Sequence, residues 1–206
     1  MNYKSRNIAV YSGSFNPLHI GHLAIIRHMI EVAGFDMVYL IVSPKNPLKD
    51  GISSDSGRER YMAAVEAVER RFLRSGLSAS GRNDSKAVEA RVKVDDIELN
   101  MPEPHYTIRT LDALKEREPD NHFTFIMGAD NLAGIRKWRE YRRLLTEFGC
   151  AVYPRQGHDL AAIKEDLLNE DPSYRINIMN AKMVDISSSE IREGQARGED
   201  MSAWLM

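Results

Sequence analysis

The sequence is short of cysteine and of net charge, and each shortage excludes a class of protein. Its single cysteine, Cys150, excludes an intramolecular disulfide and a thiolate metal cluster, and it fits a reducing cytoplasm. The formal net charge of -2 gives no general attraction to nucleic acid or to an anionic membrane surface. An anionic ligand must therefore be held by a local cluster of hydrogen-bond donors.

Long hydrophobic runs are also missing. The longest, such as MVYLIV at 37–42, are far too short to span a bilayer, and the start of the chain lacks the apolar core of a secretory signal. We therefore expect a cytoplasmic protein. What is present is ordinary for a globular fold, with 43% hydrophobic and 28% charged residues in a chain of 206, enough for one domain with a sizeable core.

Short apolar runs alternate with helix-length segments along the chain. The runs that read as strands are 7–12, 37–42, 122–127 and 150–154. They are continuously apolar rather than alternating, which is typical of strands covered by helices on both faces. The pattern predicts an α/β fold made of one Rossmann-like, doubly wound parallel sheet in a single domain spanning 1–206.

Two helices and one loop can be predicted between these strands. Apolar residues recur at helical spacing over 20–33, and Gly34 supplies a C-terminal stop. The segment 58–72 has a second amphipathic stripe. The segment 74–91 is polar and rich in serine and glycine, which indicates an insertion or a long loop.

The segment GSFNPLHIGHL at 13–23 lies where the first strand ends and the first helix begins. Doubly wound folds bind ligands at this point, beside helix N–H groups that favour phosphate. Gly13 lets backbone amides approach a phosphate closely, and Pro17 stiffens the turn. His19 and His22 are three residues apart, so both project from one side of the first helical turn and can donate to phosphate oxygens.

A zinc site is the alternative for this histidine pair, but no third ligand with suitable spacing lies nearby. We therefore predict no metal ligated by the chain alone. The other histidines have no comparable setting and are expected at the surface; they are His28, His105, His122 and His158.

A second motif, DISSSEIREG at 185–194, has the form of a helix start. Serine hydroxyls and N–H groups at such a start can hold phosphate oxygens, and Arg192 adds a forked cationic donor. On its own this pattern is weak, because a serine followed three residues later by a glutamate is also a common helix cap.

Taken together, the two motifs resemble the two signatures of the nucleotidyltransferase superfamily that shares an H-x-G-H motif, and within it those of the bacterial nicotinate-nucleotide adenylyltransferases. Further segments resemble that narrower family in the same order; they are NPLK (46–49), HYTIRTL (105–111), IMGADNL (126–132), Trp138 and YPRQG (153–157). The resemblance covers about residues 8 to 205.

The resemblance implies transfer of AMP from ATP to nicotinate mononucleotide, giving nicotinate adenine dinucleotide and pyrophosphate, as a step of NAD biosynthesis. The implied partners are those two nucleotides, with Mg²⁺ shared between ATP and the protein as cofactor. No covalent enzyme intermediate is implied. The sequence leaves open whether the chain forms a homo-oligomer.

The same resemblance assigns residues to roles. The catalytic, triphosphate-binding positions are His19, His22 and Arg192. Further ATP-binding positions are Gly13, Ser14, Phe15, Asp130, Ser187, Ser188 and Ser189, with Asp130 directed to the ribose. The mononucleotide-binding positions are Lys49, Tyr106, Thr107 and Trp138.

Some positions depart from the family pattern. Ser12 and Ser14 stand where a glycine and a threonine are common, and Leu48 replaces a frequent histidine before the lysine. Ser189 replaces a threonine and keeps its hydroxyl, whereas Gln156 replaces a proline. The change at Leu48 removes one donor to the mononucleotide phosphate.

Other readings remain open at this stage. The letters HIGH also occur in class I aminoacyl-tRNA synthetases, but the chain has neither their anticodon-binding part nor their lysine-rich second loop. Sister adenylyltransferases acting on nicotinamide mononucleotide or phosphopantetheine are closer rivals. A catalytically idle nucleotide sensor is the non-enzyme alternative.

Overall fold

The computed structural model describes residues 5–44, 57–73, 91–181 and 184–206, which build one six-stranded parallel sheet with helices on both faces. The strands lie in the order β3-β2-β1-β4-β5-β6. Their bounds are β1 Asn7–Gly13, β2 Met37–Val42, β3 Val92–Asp95, β4 His122–Gly128, β5 Cys150–Tyr153 and β6 Ile176–Ile178. This is the doubly wound Rossmann order, so the predicted fold class is confirmed.

The four predicted strands are present, and the sheet has two more that the sequence did not reveal. The missed strands are β3 and β6, which form the two edges of the sheet. Both are short, and both carry polar residues such as Lys93 and Asn177. A strand that pairs on one side only does not need the long apolar run that marks a central parallel strand.

The two helices predicted at 20–33 and 58–72 are both present. The bounds of the described helices are α1 Ile20–Arg27, α2 Gly57–Leu73, α3 Thr107–Arg117, α4 Ala129–Ala133, α5 Tyr141–Arg143, α6 Leu160–Glu170 and α7 Ser188–Ala196. The first helix continues as a π-helical turn over His28–Val32 and stops at Gly34, whose φ is +75°. Of the polar segment 74–91, only Arg91 belongs to the described residues.

Side chains of the central strands alternate between two hydrophobic cores, one on each face of the sheet. Ile8 and Val10 of β1 join the core that also holds α3. Ala9 and Tyr11 join the core that holds α1. Among the described helices, none is long and apolar enough to cross a membrane.

The single cysteine, Cys150, is the first residue of β5 and is fully buried. Burial raises the pKa of its thiol to about 12, so the side chain behaves as a small core residue.

Candidate active site

A cleft of about 870 Å³ opens at the carboxyl end of β1, between the starts of α1 and α7. The switch in strand order between β1 and its two neighbours β2 and β4 places a crevice here. Most of the predicted nucleotide-binding residues line this cleft; they are Gly13, Ser14, Phe15, His19, His22, Ser187, Ser188, Ser189 and Arg192.

The two histidines form a stacked pair at the start of α1. Their ring centroids are 3.7 Å apart with an interplanar angle of 36°. The backbone N–H of His19 donates to Nδ1 of His22 over 3.2 Å. Because Nδ1 of His22 accepts this bond, the proton of its neutral ring lies on Nε2. His22 is thereby prepared as a hydrogen-bond donor through Nε2.

Both histidines are held in the neutral form. Burial, followed by the charge of Arg155, lowers the pKa of His19 to about 4. Burial, followed by His19 and then Arg155, lowers the pKa of His22 well below its usual 6.5. At neutral pH the pair therefore offers polarised N–H groups rather than positive charges.

The glycine position between the two histidines has no room for a side chain. A Cβ built on Gly21 would lie 2.9 Å from Nδ1 of His19 and 3.0 Å from the neighbouring ring carbon. With any larger residue at this position, the His19 ring or the backbone would have to shift. The Cβ of a residue replacing Gly13 would lie 3.2 Å from the ring of Phe15, a tighter contact than is usual.

The two sequence motifs are joined by hydrogen bonds across the cleft. Arg192 donates to the carbonyl of Asn16 over 2.6 Å, and the Ser188 hydroxyl donates to the carbonyl of Pro17 over 3.0 Å. Arg192 also donates to Oγ of Ser189 over 3.1 Å. The guanidinium of Arg192 is thus held beside the loop that follows β1.

The hydroxyl of Ser187 has a structural role at the start of α7. Its oxygen accepts from the backbone N–H of Glu190 over 3.2 Å, and the Glu190 carboxylate accepts from the Ser187 backbone N–H over 2.7 Å and from its hydroxyl over 2.6 Å. This reciprocal arrangement is a capping box. It fixes the helix start at the cleft wall, so the serines there contribute through backbone placement as well as through side chains.

A second cation lies in the cleft, and it was not among the residues assigned to the site from the sequence. Arg155 lines the cleft and lies over the ring of Tyr153, 5.6 Å from the centroid. Asp130, the predicted ribose-binding residue, lies 3.5 Å from the guanidinium of Arg155. The segment YPRQG contained the signal, but only the fold shows that its arginine faces the histidines.

The base of the cleft is closed by buried aromatic rings. Tyr11 of β1 is 6% exposed and contacts Phe15 edge-on, with centroids 5.4 Å apart. Burial and the neighbouring Tyr153 raise the pKa of Tyr11 well above its usual value. The floor of the cleft is therefore uncharged, and the charged side chains lie at its walls, where Arg155 and Arg192 face the same cleft as Asp185 and Glu190.

Two of the four predicted mononucleotide-binding residues line a second, more open pocket of about 470 Å³. Tyr106 and Trp138 line it, and Thr107 is the first residue of α3 directly after Tyr106. Trp138 packs edge-on against Phe125, with ring centroids 5.9 Å apart. Lys49 lies outside the described residues, so its predicted place in this pocket stays a prediction.

Comparison with known proteins identifies relatives of this chain. The Cytidylyltransferase-like family profile matches residues 10–194. A protein of Flavobacterium johnsoniae named "Probable nicotinate-nucleotide adenylyltransferase" is 33% identical over 198 residues, covering 96% of this chain and 91% of its own. A protein of the same name from Flavobacterium psychrophilum is 36% identical over 188 residues, covering 90% and 84%.

Solved structures share the fold at lower sequence identity. The nicotinic acid mononucleotide adenylyltransferase of Plasmodium falciparum complexed with NaAD superposes with a TM-score of 0.70 at 22% identity, covering 96% of this chain and 87% of that one. Its complex with APC gives a TM-score of 0.68 at 20% identity, covering 97% and 90%.

Proposed function

Since the chain belongs to the Cytidylyltransferase-like family, and within it to the nicotinate-nucleotide adenylyltransferases, we propose that it transfers AMP from ATP to nicotinate mononucleotide. The 5′-phosphate oxygen of the mononucleotide forms a bond to the α-phosphorus of ATP. The bond between the α- and β-phosphates breaks, and pyrophosphate leaves with the electron pair. The product is nicotinate adenine dinucleotide.

The observation that carries this proposal is the neutral, stacked histidine pair facing Arg192 and Arg155 in one cleft. In this reaction negative charge grows on the phosphoryl oxygens and on the departing pyrophosphate. The Nε2–H of His22 and the guanidinium of Arg192 are donors already fixed in place, so they stabilise that charge without reorganising. Arg155 adds a second guanidinium once its partner Asp130 is displaced. No side chain needs to act as a nucleophile.

The ion pair between Arg155 and Asp130 can open so that Arg155 binds a substrate instead. Their side chains are 52% and 47% exposed, and exposed pairs of this kind contribute little to stability. A triphosphate can therefore replace the carboxylate on Arg155. Asp130 is then available for the ribose hydroxyls that the family resemblance assigns to it.

Mg²⁺ is proposed to accompany ATP. Among the described residues, no group of three or more His, Cys, Asp or Glu side chains could hold a metal ion. The donors of the cleft are imidazole, guanidinium and hydroxyl groups, whereas Mg²⁺ prefers phosphate and carboxylate oxygens. These residues fit an ion that is held by the triphosphate itself, with Asp185 at the cleft wall as the acceptor offered by the chain. When bound, the ion neutralises charge on the triphosphate.

The second pocket is proposed to take the nicotinate ring and select the acid over the amide. The indole of Trp138 offers a π face to the electron-poor pyridinium. Lys137 and Arg139 lie on the rim and favour a carboxylate, with Arg139 also 3.8 Å from Glu140 of the same pocket. Two further rim cations, Arg136 and Arg142, are already paired with Glu170 at 2.9 and 3.2 Å.

The test is pyrophosphate release with ATP and Mg²⁺, comparing nicotinate mononucleotide with nicotinamide mononucleotide and phosphopantetheine at equal concentration. We expect a large preference for the acid, because an amide would leave donors unpaired at a cost of about 1–3 kcal/mol each. Preference for the amide would overturn the assignment of the second pocket while keeping the histidine chemistry. ATP binding without turnover of any acceptor would instead support a nucleotide sensor.

A further inference from the structure

A buried arginine outside the cleft is bonded to the loop that carries the histidine motif. Arg60, in the first turn of α2, is only 4% exposed. Its Nη1 donates to the carbonyls of Ser43 at 2.7 Å and Ser14 at 3.0 Å, and its Nη2 donates to the carbonyl of Pro44 at 2.6 Å. One guanidinium therefore connects the chain just after β1 with the chain just after β2.

The bond to Ser14 fixes the direction of one peptide group. In a trans peptide the C=O and the following N–H point in opposite directions. Ser14 and Phe15 line the cleft, and Arg60 approaches the Ser14 carbonyl from α2, outside the cleft lining. The N–H of Phe15 is thereby turned toward the cleft.

The backbone at this point needs external support. Phe15 has a φ of +46°, in the left-handed region that residues other than glycine rarely adopt. Such a conformation persists only where the surroundings hold it. Arg60 holds the carbonyl before Phe15, and Arg192 holds the carbonyl of Asn16 after it.

We propose that Arg60 is a positioning residue for the transfer reaction, orienting the Ser14–Phe15 peptide so that the Phe15 N–H meets a phosphate oxygen of ATP. This inference rests on the proposed function, because it needs a triphosphate in the cleft. Arg60 itself does not touch the substrate. Its planar fork reaches three carbonyls at once, a geometry that the single ammonium group of a lysine cannot reproduce.

The kinetic test compares Arg60→Lys with Arg58→Lys. Arg58 starts from the same helical turn but is exposed, and it pairs with Asp96 at 3.0 Å. We expect Arg60→Lys to lower kcat by roughly 10²-fold, because small misplacements of reacting groups cost about that much. The Kd for α,β-methylene-ATP with Mg²⁺ should rise by about tenfold at most, less than kcat falls, because one weakened hydrogen bond contributes modestly to binding. Arg58→Lys should match the wild type in both.

The second test observes the Phe15 amide directly. Labelling with ¹⁵N-phenylalanine gives one amide signal for each of six phenylalanines, and the Phe15 signal is the one lost in Phe15→Leu. In the wild type this signal should move on addition of α,β-methylene-ATP and Mg²⁺. In Arg60→Lys the free-state signal should already be displaced, and its response to nucleotide should shrink. If the lysine variant does not fold, Arg60→Gln takes its place.

The outcomes separate the two proposals. A wild-type protein that releases no pyrophosphate would overturn the proposed function. An active wild type with an unchanged kcat in folded Arg60→Lys, or with a Phe15 amide that ignores the nucleotide, would overturn the role of Arg60 alone. A purely structural arginine would lower the folded fraction but leave kcat for each folded molecule unchanged.

Discussion

A single hydrogen bond from the backbone determines which nitrogen of the His22 ring carries the proton. The His19 amide occupies Nδ1 of His22, so only Nε2 can carry the proton of the neutral ring. Burial then keeps the ring neutral. The residue is a directed donor whose strength does not vary across the physiological pH range.

This role predicts the effect of two substitutions at residue 22. His22→Ala should lower kcat by about 10²-fold or more, as the loss of one fixed donor does in other active sites. His22→Gln should lose less, because its amide N–H can reach the place of Nε2–H. The rates come from pyrophosphate release, and circular dichroism checks folding. Equal losses in both variants would mean that His22 does not act as a donor.

The lowered histidine pKa values also predict how stability depends on pH. The pKa of His19 is about 4 in the folded chain, against 6.5 as its usual value. Between these values the unfolded chain binds more protons, so the free energy of unfolding falls as the pH falls from about 6.5 to 4. His19→Gln should lose less stability over that window. Urea unfolding of both proteins at pH 7 and pH 5 measures the difference, and parallel losses would contradict it.

At the scale of single residues, the two sequence motifs predicted which side chains come together in space. His19, His22 and Arg192 all line one cleft, as predicted. The contacts of Arg155 and Arg60 were not predicted, because the residues next to an arginine in the sequence do not indicate what its side chain will contact. Their roles depend on carbonyls and rings brought close only by the fold.

At the scale of elements, α7 is held at the cleft by its first turn. The capping box of Ser187 and Glu190 satisfies backbone groups that would otherwise lack partners. Ser188 then attaches the same turn to Pro17 in the loop after β1. The orientation of Arg192 depends on this anchored helix start.

Loss of the cap should therefore lower the stability of the folded protein. Ser187→Ala should lower the free energy of unfolding by about 1 kcal/mol, the usual cost of removing a serine cap. Ser189→Ala is the matched control, since its hydroxyl bonds only to the exposed Arg192 among the contacts found in the described chain. Urea midpoints of the two variants give the comparison, and a Ser187→Ala midpoint equal to that of the control would show that the cap contributes little.

Elements were predictable from the sequence in proportion to their burial. The central strands and α1 have long apolar patterns, and their predicted bounds differ from the observed ones by a residue or so, except for the end of α1. There the last turn adopts π-helical hydrogen bonding over His28–Val32, which the spacing of apolar residues does not distinguish from α-helix. The edge strands β3 and β6 were missed because three or four half-polar residues carry too little pattern.

At the scale of the whole molecule, the strand order gathers motifs from both ends of the chain. The crossover from β3 at one edge to β4 beside β1 opens the crevice, and α7 from the far end of the sequence closes it. His19, His22 and Arg192 line one pocket, whereas Tyr106 and Trp138 line another, and we expect the two pockets to respond separately to substitution.

Trp138→Ala tests that separation. It should raise the KM for nicotinate mononucleotide while sparing the KM for ATP, because Trp138 lines only the second pocket. Trp138→Phe is the control that keeps an aromatic face and should retain most of the affinity. Steady-state kinetics with each substrate varied in turn supplies both constants. An equal rise in both would show that Trp138 serves only to pack against Phe125.

The burial of Cys150 has a practical consequence for labelling this protein. Its thiol is buried and has a pKa raised to about 12. It should therefore not react with alkylating reagents in the native protein. The natural sequence is thus already a cysteine-free background in effect. One cysteine introduced at an exposed position such as Val32, which is 71% exposed, would accept a fluorophore or spin label without any other change to the chain.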